Sequence, residues 1–128
     1  MKKIEKPWGY EIIWAESSKS IGYVGKIIHI NPGHRLSMQF HETKEETILV
    51  KSGVLYIETI GDLMDNRDLH KAILKTPTEI RLVPGEVFHV TPFLTHRFIA
   101  KEESVEIIEV STKHLDDVVR ICDDYGRT

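Results

Sequence analysis

Short segments in which apolar and polar residues alternate recur along the chain, and proline or glycine pairs separate several of them. Asn31-Pro32-Gly33, Ser52-Gly53 and Pro84-Gly85 are turn signals, because proline fixes φ and glycine accepts positive φ. Strands with turns about every 8–12 residues are typical of an all-β sandwich or barrel. The predicted strands are residues 10–15, 23–30, 35–41, 46–51, 54–60, 79–83, 87–91, 96–100 and 105–110, with a short extra strand at 71–74 inside a polar excursion over 61–78.

The C-terminal segment departs from this alternation. Its apolar residues fall at helical spacing: they are Leu115, Val118, Val119, Cys122 and Tyr125. Gly126 stands where a glycine often ends a helix. We therefore expect a short C-terminal α-helix on the barrel, with Cys122 in its apolar stripe and four aspartates on its solvated face: Asp116, Asp117, Asp123 and Asp124.

Composition excludes several classes of protein. The 128 residues suffice for one domain, which we place over residues 1–128, and 41% of them are apolar. A net charge of −3 gives no basic face for nucleic acid. No run approaches the roughly 18 apolar residues that span a bilayer, and the single cysteine cannot form an internal disulfide. We expect a cytoplasmic protein without nucleic-acid or membrane partners.

Four polar side chains are predicted to meet inside the barrel. Gln39 and His41 lie two apart on one strand and share a face. Glu46 begins the next strand, which returns antiparallel, and His96 lies at the start of a later one. A buried carboxylate and two imidazoles are costly without compensation. A shared metal ion would provide it, and this donor set suits Zn²⁺, Fe²⁺, Mn²⁺ or Co²⁺.

Each of these residues also has an alternative interpretation. His41 and His96 can be interior histidines that hydrogen-bond to the backbone, and Gln39 can face water. A register shift by one residue would turn Glu45 inward in place of Glu46. We favour Glu46, because apolar residues at alternate positions after it then face inward as well.

The spacing of these residues and of nearby glycines resembles the two motifs of the cupin family. The first motif is Gly33, five residues, Gln39-Phe40-His41, four residues, Glu46, six residues and Gly53. The second is Gly85, five residues, Thr91-Pro92-Phe93, two residues, His96, three residues and Ala100. Gln replaces the first His of the family, and Thr, Phe and Ala replace its Pro, Gly and Asn. The resemblance implies a small cupin, a jelly-roll-like double-stranded β-helix that holds one divalent metal ion.

The Gln-x-His sequence resembles the phosphomannose isomerases, and in particular the single-domain type II mannose-6-phosphate isomerases of the cupin family. The likeness runs from Lys6 to Arg127 and is carried by five segments: 6–11, 32–39, 108–110, 116–120 and 124–127. It implies a metal-dependent isomerase that interconverts mannose 6-phosphate and fructose 6-phosphate through a metal-stabilised enediolate. It also implies a homodimer and one divalent ion, zinc first, with Mn, Fe, Co or Ni as alternatives.

The remaining site residues follow from this resemblance and from strand positions. Lys44 resembles the lysine of a Gln-x-His-x-x-Lys sequence in the larger phosphomannose isomerases, where it serves the active site. The predicted catalytic residues are Lys44, Glu11 and Glu109, and the base could also be Glu58 or His89. The predicted phosphate-binding residues are Arg35, Lys44, Arg97 and Arg127, although each arginine alone also fits a surface ion pair.

Two other functions stay open at this level, because cupins host many chemistries. One is a metal-containing cupin that binds a sugar or nucleotide sugar without turnover. The other is a different cupin enzyme, such as an epimerase, another sugar isomerase or a dioxygenase. Gln39 argues against a dioxygenase, since those enzymes usually hold iron with several histidines.

Overall fold

The computed structural model describes residues 1–62, 77–114 and 116–128, with backbone only at 61 and 62. Within these ranges the regular elements are strands. They are β1 (Lys2–Lys6), β2 (Gly9–Glu16), β3 (Tyr23–Ile30), β4 (Met38–Phe40), β5 (Glu46–Ser52), β6 (Leu55–Asp62), β7 (Thr78–Leu82), β8 (Val87–Val90), β9 (Leu94–Ala100), β10 (Val105–Thr112) and β11 (Val119–Cys122). The strand predicted at 71–74 lies outside the described residues.

The described strands form two antiparallel sheets. One sheet has the order β1-β2-β3-β10-β5-β8, and the other has the order β11-β4-β9-β6-β7. Strands distant in sequence become neighbours, as β3 does with β10 and β4 with β9, which is typical of a jelly roll. The predicted all-β, jelly-roll-like barrel is therefore confirmed, and β1 is a strand that the sequence did not predict.

The predicted C-terminal helix is wrong. Val119–Cys122 is a strand, β11, and its residues Val119 and Arg120 pair with Phe40 and Gln39 of β4. This pairing satisfies the free backbone edge of β4 and packs Val119 against Phe40, which outweighs a local helical pattern. Cys122 is exposed, not a core residue.

The barrel interior is divided into an apolar half and a polar half. Strand register produces this division: Ile107 of β10 lies opposite Ile28 of β3, whereas Glu109 lies opposite Lys26 two residues further along. The apolar core is built from both sheets and comprises Trp8, Ile28, Ile30, Leu36, Ile48, Val50, Leu55, Ile57, Leu82, Val90, Phe98, Ala100, Val105 and Ile107. The charged interior side chains therefore collect beyond one end of this core.

Two turn glycines of the first motif make different structural demands. Gly33 and Gly53 have φ values of 73° and 78°, a region that costs an L-residue about 1–2 kcal/mol. A methyl group at Gly53 would lie 2.2 Å from the backbone oxygen of Ser104, whereas at Gly33 no described atom lies within 4 Å.

We predict that Gly53→Ala lowers the free energy of unfolding by more than Gly33→Ala. Gly33→Ala carries only the backbone strain of about 1–2 kcal/mol, while Gly53→Ala must also displace a backbone carbonyl group. Urea unfolding of both variants and the wild type measures the difference. Equal losses for the two variants would contradict this interpretation of Gly53.

Candidate metal centre

Two histidines and a glutamate converge in the polar half of the barrel. His41 directly follows β4, Glu46 opens β5, and His96 lies on β9. One ligand atom from each lies within 4.8 Å of the other two, and the three residues are at most 3% exposed. Oε1 of Glu46 lies 3.7 Å from Nε2 of His41 and 3.6 Å from Nε2 of His96. These distances suit ligands of one ion, because each ligand atom of zinc lies about 2.0–2.2 Å from the metal.

Backbone carbonyl groups fix the orientation of both imidazole rings. Nδ1 of His41 donates to the carbonyl of Asp117 at 2.5 Å, and Nδ1 of His96 donates to the carbonyl of Leu94 at 2.9 Å. Because a carbonyl only accepts, Nδ1 of each ring carries a proton, and the neutral form of each ring then has its lone pair on Nε2. Among the described residues, neither buried Nε2 has a hydrogen-bond partner, an arrangement that costs stability unless a cation binds there.

The charges around Glu46 also fit a cation. Nζ of Lys44 lies 3.1 Å from Oε2 of Glu46 and 3.4 Å from Oε2 of Glu109, and all three side chains are buried. Two carboxyl groups share this one ammonium group, and the negative charge of Glu46 lies beside the two imidazoles. The residues present therefore fit a divalent ion, which His41, Glu46 and His96 would hold.

The pKa values of this cluster follow from burial and mutual charge. Burial alone would raise the pKa of Glu46, but the nearby imidazoles of His41 and His96 and the charge of Lys44 hold it well below the ordinary value. Burial raises the pKa of Glu109 to about 8, and the charge of Glu46 adds to this effect. For Lys44 the two carboxylates outweigh burial, so its pKa is raised. The ammonium form of Lys44 is thus part of the folded state.

Gln39 lies beside this cluster. In register it pairs with His96 of β9 on one side and with Arg120 of β11 on the other. Its side-chain oxygen accepts a hydrogen bond from the hydroxyl of Ser37 at 2.7 Å, and the residue lines the cavity described below. Its role as a fourth ligand stays a prediction.

A cavity of about 280 Å³ opens over Gln39 and His41. Its described lining is rich in cations: Lys2, Lys6, Lys26, Lys44, Arg120 and Arg127, against the acidic residues Glu11, Asp116 and Asp117. Lys26 is paired with Glu11 at 3.4 Å, and Lys44 is paired with buried carboxylates. The C-terminal segment adds Arg120 and Arg127 but also Asp116 and Asp117, so the surplus of positive charge in the described lining lies on Lys2 and Lys6 of β1.

A family match covers most of the chain. A sequence model of the D-lyxose isomerase family matches residues 13–122. The chain belongs to the D-lyxose isomerase family. It is also 33% identical over 133 aligned residues to the xanthan biosynthesis protein XanB of Xanthomonas campestris pv. campestris (strain B100). That alignment covers 99% of the chain but only 24% of XanB, so the chain spans about a quarter of this relative's length.

Solved structures share the fold of this D-lyxose isomerase family member. KdgF from Halomonas sp. superposes with a TM-score of 0.65 and 16% identity over 89% of both chains. A sugar phosphate isomerase of the cupin superfamily from Silicibacter pomeroyi superposes with a TM-score of 0.54 and 16% identity, over 72% of this chain and 51% of its own. The predicted cupin fold is thereby confirmed. In the described ranges no helix is long and apolar enough to span a membrane.

The structure brings some of the predicted catalytic and phosphate-binding residues of this family member to the cavity. Glu11, Lys44 and Arg127 line it. Glu109 is buried behind Lys44, and the two are in contact. His89 is outside the barrel, where its Nε2 lies 2.7 Å from Glu45.

Two predicted phosphate-binding arginines are engaged elsewhere. Arg35 donates to both carboxylate oxygens of Asp124, at 2.6 and 2.9 Å, and lies 3.8 Å from Glu58. Arg97 is buried and donates to the carbonyl of Leu36 at 2.9 Å. Arg97 also lies 3.8 Å from Asp124, and neither arginine belongs to the described cavity lining.

Sequence reasoning missed three residues near the site of this family member. Lys26 lies on the inward face of β3 between buried apolar residues, and a lone charge at such a position was the available signal. Asp117 was assigned to a solvated helix face and Arg120 to a surface ion pair; both line the cavity. The positions of Asp117 and Arg120 depend on the pairing of β11 with β4. No local sequence pattern indicates that pairing.

Phe93 takes a conformation that usually requires glycine. Its φ is 66°, and it stands where the second cupin motif has Gly. Its backbone N–H donates to the carbonyl of His41 at 2.7 Å, and its ring packs against Phe40 with centroids 5.9 Å apart. The turn before His96 is therefore tied to the other histidine of the candidate metal centre.

We predict that Phe93→Gly is more stable than Phe93→Ala by about 1 kcal/mol, the reverse of the usual order of these residues. Both variants lose the contact with Phe40, but only glycine relieves the left-handed backbone strain. Urea unfolding of the two variants tests the sign. A more stable alanine variant would show that the turn is not strained.

We predict that Glu46→Gln weakens Zn²⁺ binding at least tenfold, whereas Glu45→Gln leaves it within twofold of the wild type. Glutamine removes the charge that faces both imidazoles, whereas Glu45 pairs with His89 outside the barrel. Competition with a chromophoric chelator, starting from metal-free protein, measures both affinities. Equal effects of the two substitutions would count against Glu46 as a ligand.

Proposed function

We propose that this protein is a metal-dependent isomerase that interconverts mannose 6-phosphate and fructose 6-phosphate. The observation that carries the proposal is the cation-rich cavity above the buried cluster of His41, Glu46 and His96. The cluster supplies donors for a divalent ion, and the cations supply partners for a phosphate group. The likeness of the Gln39-Phe40-His41 segment to the type II mannose-6-phosphate isomerases supports the choice of sugar.

The chemistry requires a proton to move between the first two carbons of the sugar while negative charge develops on their oxygens. A divalent ion bound by the cluster, zinc foremost, would supply positive charge to those two oxygens. Lys44 lines the same part of the cavity, and its ammonium group is held in place by Glu46 and Glu109. Lys44 therefore offers a fixed hydrogen-bond donor to a substrate oxygen.

Glu11 is the preferred base among the predicted catalytic residues. Its carboxylate side chain lines the cavity and lies 3.4 Å from Nζ of Lys26, which fixes its direction. Glu109 does not belong to the described cavity lining, although it contacts Lys44, which does. A positioned carboxylate that takes up and returns a proton contributes roughly 10²–10⁴-fold to such a reaction.

The phosphate group is assigned to four cations of the cavity lining outside the Lys44 cluster. Of these, Arg127 also donates to both carboxylate oxygens of Asp123, at 3.0 and 2.9 Å. Lys2 and Lys6 come from β1, and Arg120 and Arg127 come from the C-terminal segment. Nε of Arg120 is buried and has no hydrogen-bond partner among the described residues. Arginine gives a forked contact to phosphate and lysine a point charge, so this end of the cavity suits a phosphate dianion.

A second candidate is isomerisation of an unphosphorylated aldose. The match to the D-lyxose isomerase family over residues 13–122 favours it. The same ligands and the same base would serve that reaction, because the proton transfer is chemically equivalent. The two candidates differ in the use of the cations, since a neutral sugar gains little from them.

We predict that zinc-loaded protein converts mannose 6-phosphate to fructose 6-phosphate with a kcat/KM at least tenfold above that for D-lyxose. Arg127→Gln should raise KM for the sugar phosphate about tenfold, the loss expected for one charge-assisted contact of 1.4 kcal/mol. The same substitution should leave KM for D-lyxose within twofold of the wild-type value. Coupled assays of fructose 6-phosphate and direct chromatography of D-lyxose products measure the two rates.

Three other outcomes of this assay reject the proposal in different ways. A preference for D-lyxose would transfer the assignment to the neutral sugar. Calorimetric binding of mannose 6-phosphate without product would indicate a binding protein. If the wild type and Arg127→Gln have equal KM values for mannose 6-phosphate, the phosphate group binds elsewhere. The homodimer, the sugar phosphate as partner and the cytoplasmic location stay predictions.

A further inference from the structure

Asp117 contacts the segment between two candidate metal ligands. Its carboxylate accepts hydrogen bonds from three consecutive backbone N–H groups, those of Glu42 at 3.1 Å, Thr43 at 2.7 Å and Lys44 at 2.8 Å. These residues connect His41 to the strand that begins with Glu46. One side chain from the C-terminal segment thus fixes a connection more than seventy residues earlier, with separations of 73 to 75 residues.

The backbone of Asp117 contacts the first of those ligands directly. Its carbonyl accepts from Nδ1 of His41 at 2.5 Å, which leaves the lone pair on Nε2, the atom 3.7 Å from Glu46. The carboxylate and the carbonyl of one residue therefore act on adjacent parts of the chain. If the carboxylate holds residue 117 against the connection, the carbonyl stays in place for the imidazole.

We propose that Asp117 is a positioning residue of the metal centre. Its carboxylate anchors the backbone of residues 42–44, and this anchor keeps its carbonyl on His41, so that His41 presents Nε2 toward Glu46. Hydrogen-bond partners of ligating histidines commonly change metal affinity about 10–100-fold when they are lost. The inference rests on the proposed metal site and goes beyond it, because it assigns the orientation of one ligand to the C-terminal segment.

The test compares Asp117→Ala and Asp117→Asn with Asp124→Ala. Asp124 is the matched control, because it also anchors the C-terminal segment by two hydrogen bonds, from Arg35, but does not contact the connection at 42–44. The first measurement is ¹⁵N NMR of the imidazoles in the metal-free proteins. His96 is an internal control, because its Nδ1 donates to Leu94 and not to Asp117.

We expect His41 in the wild type and in Asp124→Ala to be a single tautomer with the proton on Nδ1. In Asp117→Ala we expect a mixture of both tautomers at His41, with His96 unchanged. Asp117→Asn keeps the size of the side chain and one acceptor oxygen. Its fraction of the second His41 tautomer should therefore lie between those of the wild type and Asp117→Ala. Competition for Zn²⁺ should give binding at least tenfold weaker in Asp117→Ala and within twofold of the wild type in Asp124→Ala.

Each outcome decides the proposal. A folded Asp117→Ala variant with an unmixed His41 tautomer and wild-type zinc affinity overturns it, as does an equal loss of zinc affinity in Asp124→Ala. If Asp117→Ala does not fold, the same readings on Asp117→Asn decide in its place. If the wild type binds no zinc, the metal proposal fails, while the tautomer of metal-free His41 still tests the role of Asp117.

Discussion

The buried carboxylate of Glu46 is the constraint on which the rest of the site depends. One of its oxygens faces two imidazole nitrogens and the other faces Lys44, in the interior of a barrel where unpaired charge is costly. Groups of alternating charge surround Glu46: Lys44 also contacts Glu109, and Glu109 lies opposite Lys26 on the neighbouring strand. An apolar core in the other half of the barrel supplies the rigidity that keeps these charges in place.

Local chemistry explains why much of the fold and part of the cluster were predictable. A period of two along a strand fixes which side chains share a face, so the choice of Glu46 over Glu45 needed only the apolar residues that follow it. Ile48 and Val50 are indeed fully buried with Glu46, whereas Glu45 is exposed. Turn glycines with positive φ mark the same boundaries in the sequence and in the structure, as at Gly33 and Gly53.

Features that depend on a distant partner were not predictable in this way. Residues 119–122 have a helical pattern of apolar residues, yet they form a strand because β4 offers a free edge. Arg35 looked available for a phosphate group until the fold placed Asp124 at 2.6 Å from it. A single sequence carries no signal for either pairing, since both join segments separated by about seventy residues or more.

The candidate metal centre depends on the pairing of β11 with β4, and this pairing belongs to the least extensive part of the second sheet. β4 has three residues and pairs with β9 at one position, Gln39 with His96, whereas β10 pairs with β3 over eight residues. Proteins open in cooperative units of unequal free energy. Detachment of residues 116–128 would free the backbone beside Gln39 and release the imidazole of His41, while the large sheet stayed intact. Amide hydrogen exchange at the candidate metal centre would therefore follow this local opening and not global unfolding.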